Sequence, residues 1–531
     1  MTKLVFLAVA LAISTVLAFP QRDLVTNRDQ WLQKVVPEFL AAPKPPDANN
    51  CCQTKEEAVC KICEATTCGK NANCVMVNKK RTCNCKQGFK GDAWVKCIKA
   101  GKGEATGDPH YRTIDGTYFD YQGRCPYFYS KPCNLTKASS LYYHVKAKNV
   151  PYPRNPVGIS VVGSIEIYMR GITIFIDTNL NMEVDGHVTS FPYYYPSNVR
   201  RWVSIENRGG VAHIENEDGV AVDFYLHYLS ITVPHYPEYL GKHGLCGLAG
   251  NMNENCRDDV IGINGEELVQ DDCRYKVSAA SNARVAKVLD TWITHEYYNY
   301  DPVAAGCKSG EAIAPDGPDC TNKPGRQQCQ PIKDAIDGTG PFAPCSILGA
   351  QTLETLFESC VFDMCVMPDQ RCELLKGFVV QCQNAVGNVV LPNWRQTLNC
   401  PLNCPAGSTY STCVQCEPSC IDPQNRDCNA MCYEGCKCQD GYLLDTAQNP
   451  AKCVKQIDCS CKDAAGKYHP PRLAWFTDNC TKLNVCLRQK ITEENYTCPG
   501  SSKCGTVDGR MTCTCDKGFK WNQNRTDCIP A

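Results

Sequence analysis

The sequence predicts a multidomain, mainly β, disulfide-rich fold, and three observations carry that prediction. Of 531 residues, 41 are cysteine, a density that proteins of the reducing cytosol do not reach, so disulfides are expected throughout. Between residues 107 and 306 the cysteines thin out. There the runs Ile159 to Ile176, Val199 to Ile214 and Val220 to Val233 are rich in Val, Ile, Tyr and Phe, with Gly-containing turns between them, the pattern of a β domain long enough for its own core. On either side cysteines recur at short, regular intervals, in stretches too small to bury an adequate apolar core. Such modules rest on their bridges.

The chain opens with Lys3, the apolar stretch Leu4 to Leu17 and the small-residue end Val16-Leu17-Ala18 before Phe19. Residues 1–18 therefore read as a secretory signal peptide, which predicts a secreted, extracellular protein. No later segment has the apolar length of a bilayer span, so no membrane span is expected. All cysteines follow the cleavage site. The sequons at Asn134, Asn479, Asn495 and Asn524 agree with glycosylation along the secretory route. With 55 basic against 56 acidic residues and no long run of one sign, neither nucleic acid nor an anionic membrane is an expected partner. Residues 19–50 are polar and proline-bearing and read as a linker. No metalloprotease helix motif, nucleophile elbow or phosphate loop is present, so the chain is not expected to be an enzyme.

From Cys63 the cysteines fall at Cys63, Cys68, Cys74, Cys83, Cys85 and Cys97, with Gly88-Phe89-Lys90-Gly91 between the last two. Residues 51–98 thereby resemble an EGF-like module, and the resemblance implies the bridges Cys63–Cys74, Cys68–Cys83 and Cys85–Cys97. Lys61-Ile62 stands where a calcium-binding EGF module carries acidic residues, which argues against calcium there. The ladder returns at the far end. The gaps from Cys68 to Cys97 are 5, 8, 1 and 11 residues, and those from Cys498 to Cys528 are 5, 8, 1 and 12, an internal repeat. Residues 461–531 thus read as a cysteine-rich region ending in a second EGF-like module.

The β span is bracketed by two blocks: Gly107-Asp108-Pro109-His110-Tyr111-Arg112-Thr113-Ile114-Asp115-Gly116, and Cys246-Gly247-Leu248-Ala249-Gly250-Asn251-Met252-Asn253 followed by Asp258-Asp259. Their content, order and separation resemble a von Willebrand type D domain over residues 107–306, which implies a β-sandwich. Eight cysteines from Cys320 to Cys400 follow, in a segment where Leu353 to Met364 and Cys372 to Cys382 read as amphipathic helices. Residues 307–400 resemble the helical eight-cysteine domain that succeeds type D domains. Ten more cysteines between Cys404 and Cys459 resemble a trypsin-inhibitor-like module over 404–459. Together these are similar to one complete D assembly of the kind found in gel-forming mucins, zonadhesin, tectorin and the IgG-Fc-binding protein. The pairing implied inside the type D domain is Cys133–Cys246 and Cys125–Cys307, with a local bridge Cys256–Cys273. One departure is visible. Many relatives read Cys-Gly-Leu-Cys in the second block and pair its second cysteine with one just before the first block. Here Ala249 holds that place and Glu104 to Thr106 carry no thiol, which removes a dithiol of the sort used in disulfide exchange.

What the resemblance implies chemically begins with calcium. Asp115, Asn251, Asn253, Asp258 and Asp259 offer oxygens to a hard cation that takes six to eight of them; the same residue types also form turns for backbone reasons alone. Some relatives split the bond Asp108–Pro109 by self-cleavage, and in others the block is a structural turn. In inhibitory relatives of the trypsin-inhibitor-like module the reactive bond maps to Ala430–Met431, where a small residue suits an elastase-like pocket. The function expected is that of a secreted, calcium-binding structural or adhesive glycoprotein of extracellular matrix, mucus, egg coat or secreted adhesive, with partners among extracellular proteins or glycans; a serine protease inhibitor is the alternative. By module count the thiols Cys51, Cys52 and Cys60 are left over. One of them lacks a partner, which leaves room for an interchain bridge and a covalent homodimer.

Overall fold

The computed structural model describes residues 68–531 apart from 78–79, 87, 153–158, 198–199, 270–272, 274–278, 300–306, 308–323, 387–390, 415–416, 421–422, 424–432, 448–450, 464–466 and 508–509. The signal, the linker, Cys51, Cys52, Cys60, Cys63, Ala430 and Met431 lie outside the described residues. The described residues, Lys80 apart, belong to one compact unit.

The described chain starts as a hairpin of β1 (Ala72–Val77) and β2 (Lys80–Cys85), followed by β3 (Phe89–Asp92) and the long β4 (Lys96–Thr106). The bridges Cys68–Cys83 and Cys85–Cys97 staple this unit, whose buried cluster is little more than Cys83, Ala93 and Cys97. A core of that size cannot hold a fold, so the disulfides do. β4 then runs on without a break. Its first half pairs with β3, and its second half enters the large sandwich.

The sandwich strands continue in chain order as β5 (His110–Arg112), β6 (Tyr118–Asp120), β7 (Pro126–Pro132), β8 (Tyr143–Pro151), β9 (Ser160–Met169) and β10 (Ile172–Asp177). Next come β11 (Met182–Val184), β12 (His187–Thr189), β13 (Tyr193–Pro196), β14 (Arg201–Arg208), β15 (Val211–Asn216), β16 (Ala221–Tyr225), β17 (Tyr228–Pro234) and β18 (Leu245–Cys246). One sheet is ordered β12-β11-β10-β9-β8-β7-β18, and the other β13-β14-β15-β16-β17-β4-β5-β6. Alternation places the inward side chains: in β10, Ile172, Ile174 and Ile176 are buried while the residues between them are not, as a strand with one face on the core requires. Both sheets contribute to a single core that also takes Val285, Leu289 and Trp292 from α1 (Ala279–Leu289) and the turn after it. Cys125–Cys307 and Cys133–Cys246 close loops of 182 and 113 residues across this domain.

The helical segment consists of α2 (Pro324–Asp334), α3 (Ala350–Val366), α4 (Arg371–Val386) and the short α5 (Trp394–Thr397). On α3, Leu353, Phe357, Val361 and Met364 are buried, the spacing of one apolar stripe. They meet Phe342, Phe378 and Trp394, whose rings lie 5.0 and 5.8 Å from that of Phe342. Cys329–Cys360, Cys345–Cys382 and Cys372–Cys400 bind these helices together.

Beyond them, a hairpin of Ser408–Val414 and Tyr433–Cys438 is stapled by Cys404–Cys436, Cys420–Cys459 and Cys438–Cys453. It docks on both preceding domains. Arg395 of α5 donates to Glu434 through Nε at 2.8 Å and Nη2 at 2.7 Å, with both side chains buried, a fork geometry that arginine supplies and lysine does not. The backbone at Gly435 passes so close to Gly209 in the β14–β15 turn that a Cβ would come within 2.6 Å of its Cα. The chain ends in small hairpins held by Cys461–Cys486, Cys480–Cys504, Cys498–Cys513 and Cys515–Cys528.

Candidate functional site

The two sequence blocks meet in space. The backbone N–H of Ile114 donates to Ala249 O at 2.9 Å, and Leu248 and Ala249 donate to Phe128 and Tyr129 of β7, so the second block runs along the sheet edge between them. Gly250 sits at φ +74°, where a side chain would also strike the Asp259 carboxyl at 2.9 Å. Only glycine gives that turn without displacing an acid.

Around this turn the structure gathers all five expected oxygen donors. The Asn253 N–H donates to Asp115 Oδ2 at 2.7 Å, and its amide donates to both carboxylate oxygens of Asp258 at 3.1 Å. The Asn251 amide donates to Asp258 O at 3.1 Å, and the Asn251 N–H reaches Asp259 Oδ1 at 3.3 Å. Thr113 donates its hydroxyl to Asp259 Oδ2. Two tethers hold the loop: Cys256–Cys273, and the bond from Thr117 to Cys256 O. Thr113 and Thr117 were not singled out by the sequence, because a hydroxyl inside a strand turn carries no signature of its own.

The electrostatics of this loop lean one way. Burial pushes the Asp259 carboxyl up to about 8, and the neighbouring Asp115 charge adds to it. Asp115 is itself raised, first by burial. Among the described residues no lysine or arginine pairs with Asp115, Asp258 or Asp259. Asn251 Oδ1 is buried without a hydrogen-bond partner. Buried acids without an ion-pair partner and an orphaned carbonyl oxygen are what a hard divalent ion would satisfy.

A second cluster lies at the first block. Asp108 is completely buried, and its Oδ1 stands 2.7 Å from His110 Nε2. The other ring nitrogen, Nδ1, lies 2.6 Å from Asp120 Oδ1 on β6. From the opposite side comes Asp363 of α3, its Oδ1 3.5 Å from His110 Nε2. Burial is the first cause of a strong upward shift at Asp108, reinforced by Asp363. The three carboxylates raise His110 well above the usual imidazole range despite its burial. Asp363 had no local signal, since it arrives from another domain more than 250 residues later.

The remaining sites divide simply. Asn134, Asn479, Asn495 and Asn524 are all exposed. Cys74 is disulfide-bonded while Cys63 falls outside the described residues. A Cβ on Gly103 of β4 would stand 3.1 Å from Ala249 Cβ, so the strand just before the first block and the second block are neighbours here without thiols. No helix of the described residues is long and apolar enough to cross a membrane.

Comparison with known proteins assigns the domains. Residues 103–266 match the von Willebrand factor type D domain, 328–401 the C8 domain, 404–459 the trypsin-inhibitor-like cysteine-rich domain and 460–514 the TILa domain. The TILa match takes in Cys498, Cys504 and Cys513, the first cysteines of the C-terminal ladder. Zonadhesin of Sus scrofa is 29% identical over 434 residues, 80% of this chain and 16% of that protein. Human alpha-tectorin is 28% identical over 430 residues, 77% of this chain and 18% of its own length. Human IgGFc-binding protein is 25% identical over 465 residues, 85% of this chain and 8% of its length. The chain thus carries one type D, C8, trypsin-inhibitor-like and TILa series, and spans less than a fifth of each of these relatives.

Proposed function

We propose that this series of type D, C8, trypsin-inhibitor-like and TILa domains is a secreted, calcium-binding glycoprotein that acts as a structural or adhesive component of an extracellular coat, mucus or matrix. The observation that carries the reading is the convergence of Asp115, Asn251, Asn253, Asp258 and Asp259 on one largely buried turn, where among the described residues no lysine or arginine forms an ion pair with the acids. Calcium there would fix the link between the two sequence blocks and so the edge of the sandwich, with Asp115, Asp258 and Asp259 supplying charge and the two asparagines neutral oxygens. Exposed sequons at four positions suit a glycosylated surface. The names zonadhesin and IgGFc-binding protein speak of adhesion and of binding an immunoglobulin Fc; for this chain the corresponding reading is recognition of extracellular proteins or glycans by a surface that the cross-linked domains hold rigid. The end units, with matching bridges Cys68–Cys83 and Cys498–Cys513, Cys85–Cys97 and Cys515–Cys528, would serve as EGF-like spacers.

The test has two parts. Calcium titrated into the secreted, chelator-stripped protein should raise its Tm by several degrees, and Asp259→Ala should abolish the increment. Solid-phase binding to mucin glycans and matrix proteins, with calcium or with EGTA, should then show saturable, calcium-dependent retention. Calcium binding without retention on any such surface would rule out the adhesive role, and retention indifferent to EGTA would rule out calcium as its support.

A further inference from the structure

The cluster at Asp108 is built differently from a calcium loop. Its donors are one imidazole nitrogen and two carboxylates, and Asp108 Oδ1 or Oδ2, His110 Nε2 and Asp363 Oδ1 all fall within 4.8 Å of one another. It is the one His-and-carboxylate triad of this closeness among the described residues. All four of those atoms are buried without a hydrogen-bond partner. Asp108 Oδ1 and His110 Nε2 meet as an ion pair at 2.7 Å, and beyond the triad no donor or acceptor reaches them. Buried polar atoms left in that state are costly unless something else satisfies them.

We infer that Asp108, His110 and Asp363 form a binding site for a divalent transition ion of the zinc class, clamping the type D sandwich to helix α3 of the C8 domain. Three features beyond the acids themselves point to an ion. The first is the ring's other side. His110 Nδ1 is held at 2.6 Å by the Asp120 carboxylate, which orients the imidazole and leaves Nε2 to face inward, the carboxylate–histidine–metal arrangement that zinc sites use. The second is room. Gly107 at φ +59° is what lets the Asp363 carboxylate reach the strand, since a Cβ there would lie 2.3 Å from Asp363 Oδ2. The third is charge. A single imidazolium offsets only one of the three carboxylates Asp108, Asp120 and Asp363, and among the described residues no lysine or arginine pairs with them. A dication bound by neutral imidazole offsets two. Metal–oxygen and metal–nitrogen bonds of about 2.0–2.2 Å place ligand atoms about 3.4 Å apart on a tetrahedral ion; His110 Nε2 and Asp363 Oδ1 already stand at 3.5 Å, and the Asp108 carboxylate, 2.7 Å from the ring nitrogen, would move outward by well under an ångström as the ion entered. A cleft lined by Gly107, His227, Asp363 and Met367 borders the cluster, so water can complete a four-coordinate shell. Imidazole among the ligands favours zinc or a similar ion over calcium, which prefers oxygen alone.

The experiment is zinc binding to the whole secreted protein in saturating calcium, read as metal per chain after dialysis, with cobalt as a spectroscopic stand-in. One zinc per chain is expected in the wild type. His110→Ala and Asp363→Asn should each lose it, and Asp120→Asn should weaken it by roughly 10- to 100-fold through loss of ring orientation. The cobalt form should show four-coordinate visible bands without the thiolate charge-transfer band that a stray cysteine site would give; this readout needs no variant and stands if a substitution blocks secretion. No zinc on the wild type, a thiolate band, or zinc retained in full by folded His110→Ala would each overturn the inference. Because calcium is saturating throughout, failure of the zinc site leaves the calcium reading untouched, and the reverse holds.

Discussion

At the residue scale, the most consequential groups are acids buried between domains. Asp223 on β16 is 3% exposed on its side chain and lies 2.6 Å from His213 Nδ1. It also accepts from Tyr433 Oη at 3.1 Å and from the Asn384 amide at 3.0 Å, so one carboxylate ties the sandwich, α4 and the trypsin-inhibitor-like hairpin together. Burial alone would raise its pKa, but the His213 charge and these bonds overcome it and hold the carboxyl well below its ordinary value of 3.8. A group depressed in the folded state lends stability that is complete above its unfolded value and is lost as pH falls below it. Asp223→Asn should therefore cost about 3–5 kcal/mol near neutrality, the scale for breaking a buried ion pair on one side. Measured as Tm against pH, the gap between variant and wild type should close as pH drops below 3.8; a gap that stays constant down to strong acid would show that the charge is not what matters. Nothing in the amino-acid order marks this node. His213 and Asp223 face each other across paired strands, a register that emerges only once the hairpin has formed. Asp115, Asp258 and Asp259 were visible as acids near two family blocks, and Asp108 and His110 as a motif, whereas Asp120, Thr113 and Asp363 became partners only through folding.

At the element scale, the type D, C8 and trypsin-inhibitor-like spans were legible because each carries a periodic signal: β-rich runs with Gly turns, helices with a buried stripe on α3, and a cysteine ladder. Less legible was how β4 serves two masters, pairing with β3 in the small stapled unit and with β5 and β17 in the sandwich; nothing in the run Lys96–Thr106 marks where one domain hands over to the next. Beyond that hand-over β4 lies against the second block. A Cβ added at Gly103 would stand 3.1 Å from Ala249 Cβ, a little under the 3.5–4.5 Å of disulfides. A shift of a few tenths of an ångström suffices. Replacing both, Gly103→Cys with Ala249→Cys, should therefore close a disulfide and stabilise the domain by about 2–4 kcal/mol, the range for bridges that close long loops. Peptide mapping would detect the bridge, and thermal unfolding its effect. If the two thiols stay free, or if the bridge forms and lowers Tm, then β4 and the second block cannot make the small shift that a bridge requires, and the absence of the two thiols is more than the loss of a dispensable link.

At the scale of the whole molecule, the parity of the cysteines decides what the chain can do. Every described cysteine is disulfide-bonded, and the sequence contains 41, so an odd number cannot be matched within it. The unmatched thiol lies among Cys51, Cys52, Cys60, Cys63, Cys320, Cys416, Cys428 and Cys432, the cysteines outside the described residues. Cys74, Cys365 and Cys413 are bonded to partners that must also come from this group. The EGF-like resemblance assigns Cys63 to Cys74, and the module count leaves Cys51, Cys52 and Cys60. An exposed, unmatched thiol in an oxidising compartment either reacts with a second chain or is capped. For a protein whose proposed work is structural, joining two rigid stapled bodies through their cysteine-rich ends would double the binding surface without any new fold, and the second contact of each pair would gain from effective concentration. The expectation is a disulfide-linked dimer in non-reducing electrophoresis that reduction converts to the single chain. The triple change Cys51→Ser, Cys52→Ser and Cys60→Ser should convert it without reductant while leaving Tm within a degree or two, because the bridges that close the sandwich and the helical segment among the described residues use other cysteines. A wild-type protein that runs as a single chain and titrates with one free thiol would sink the dimer, and a triple variant that still dimerises would move the bridge to the remaining cysteines of the group.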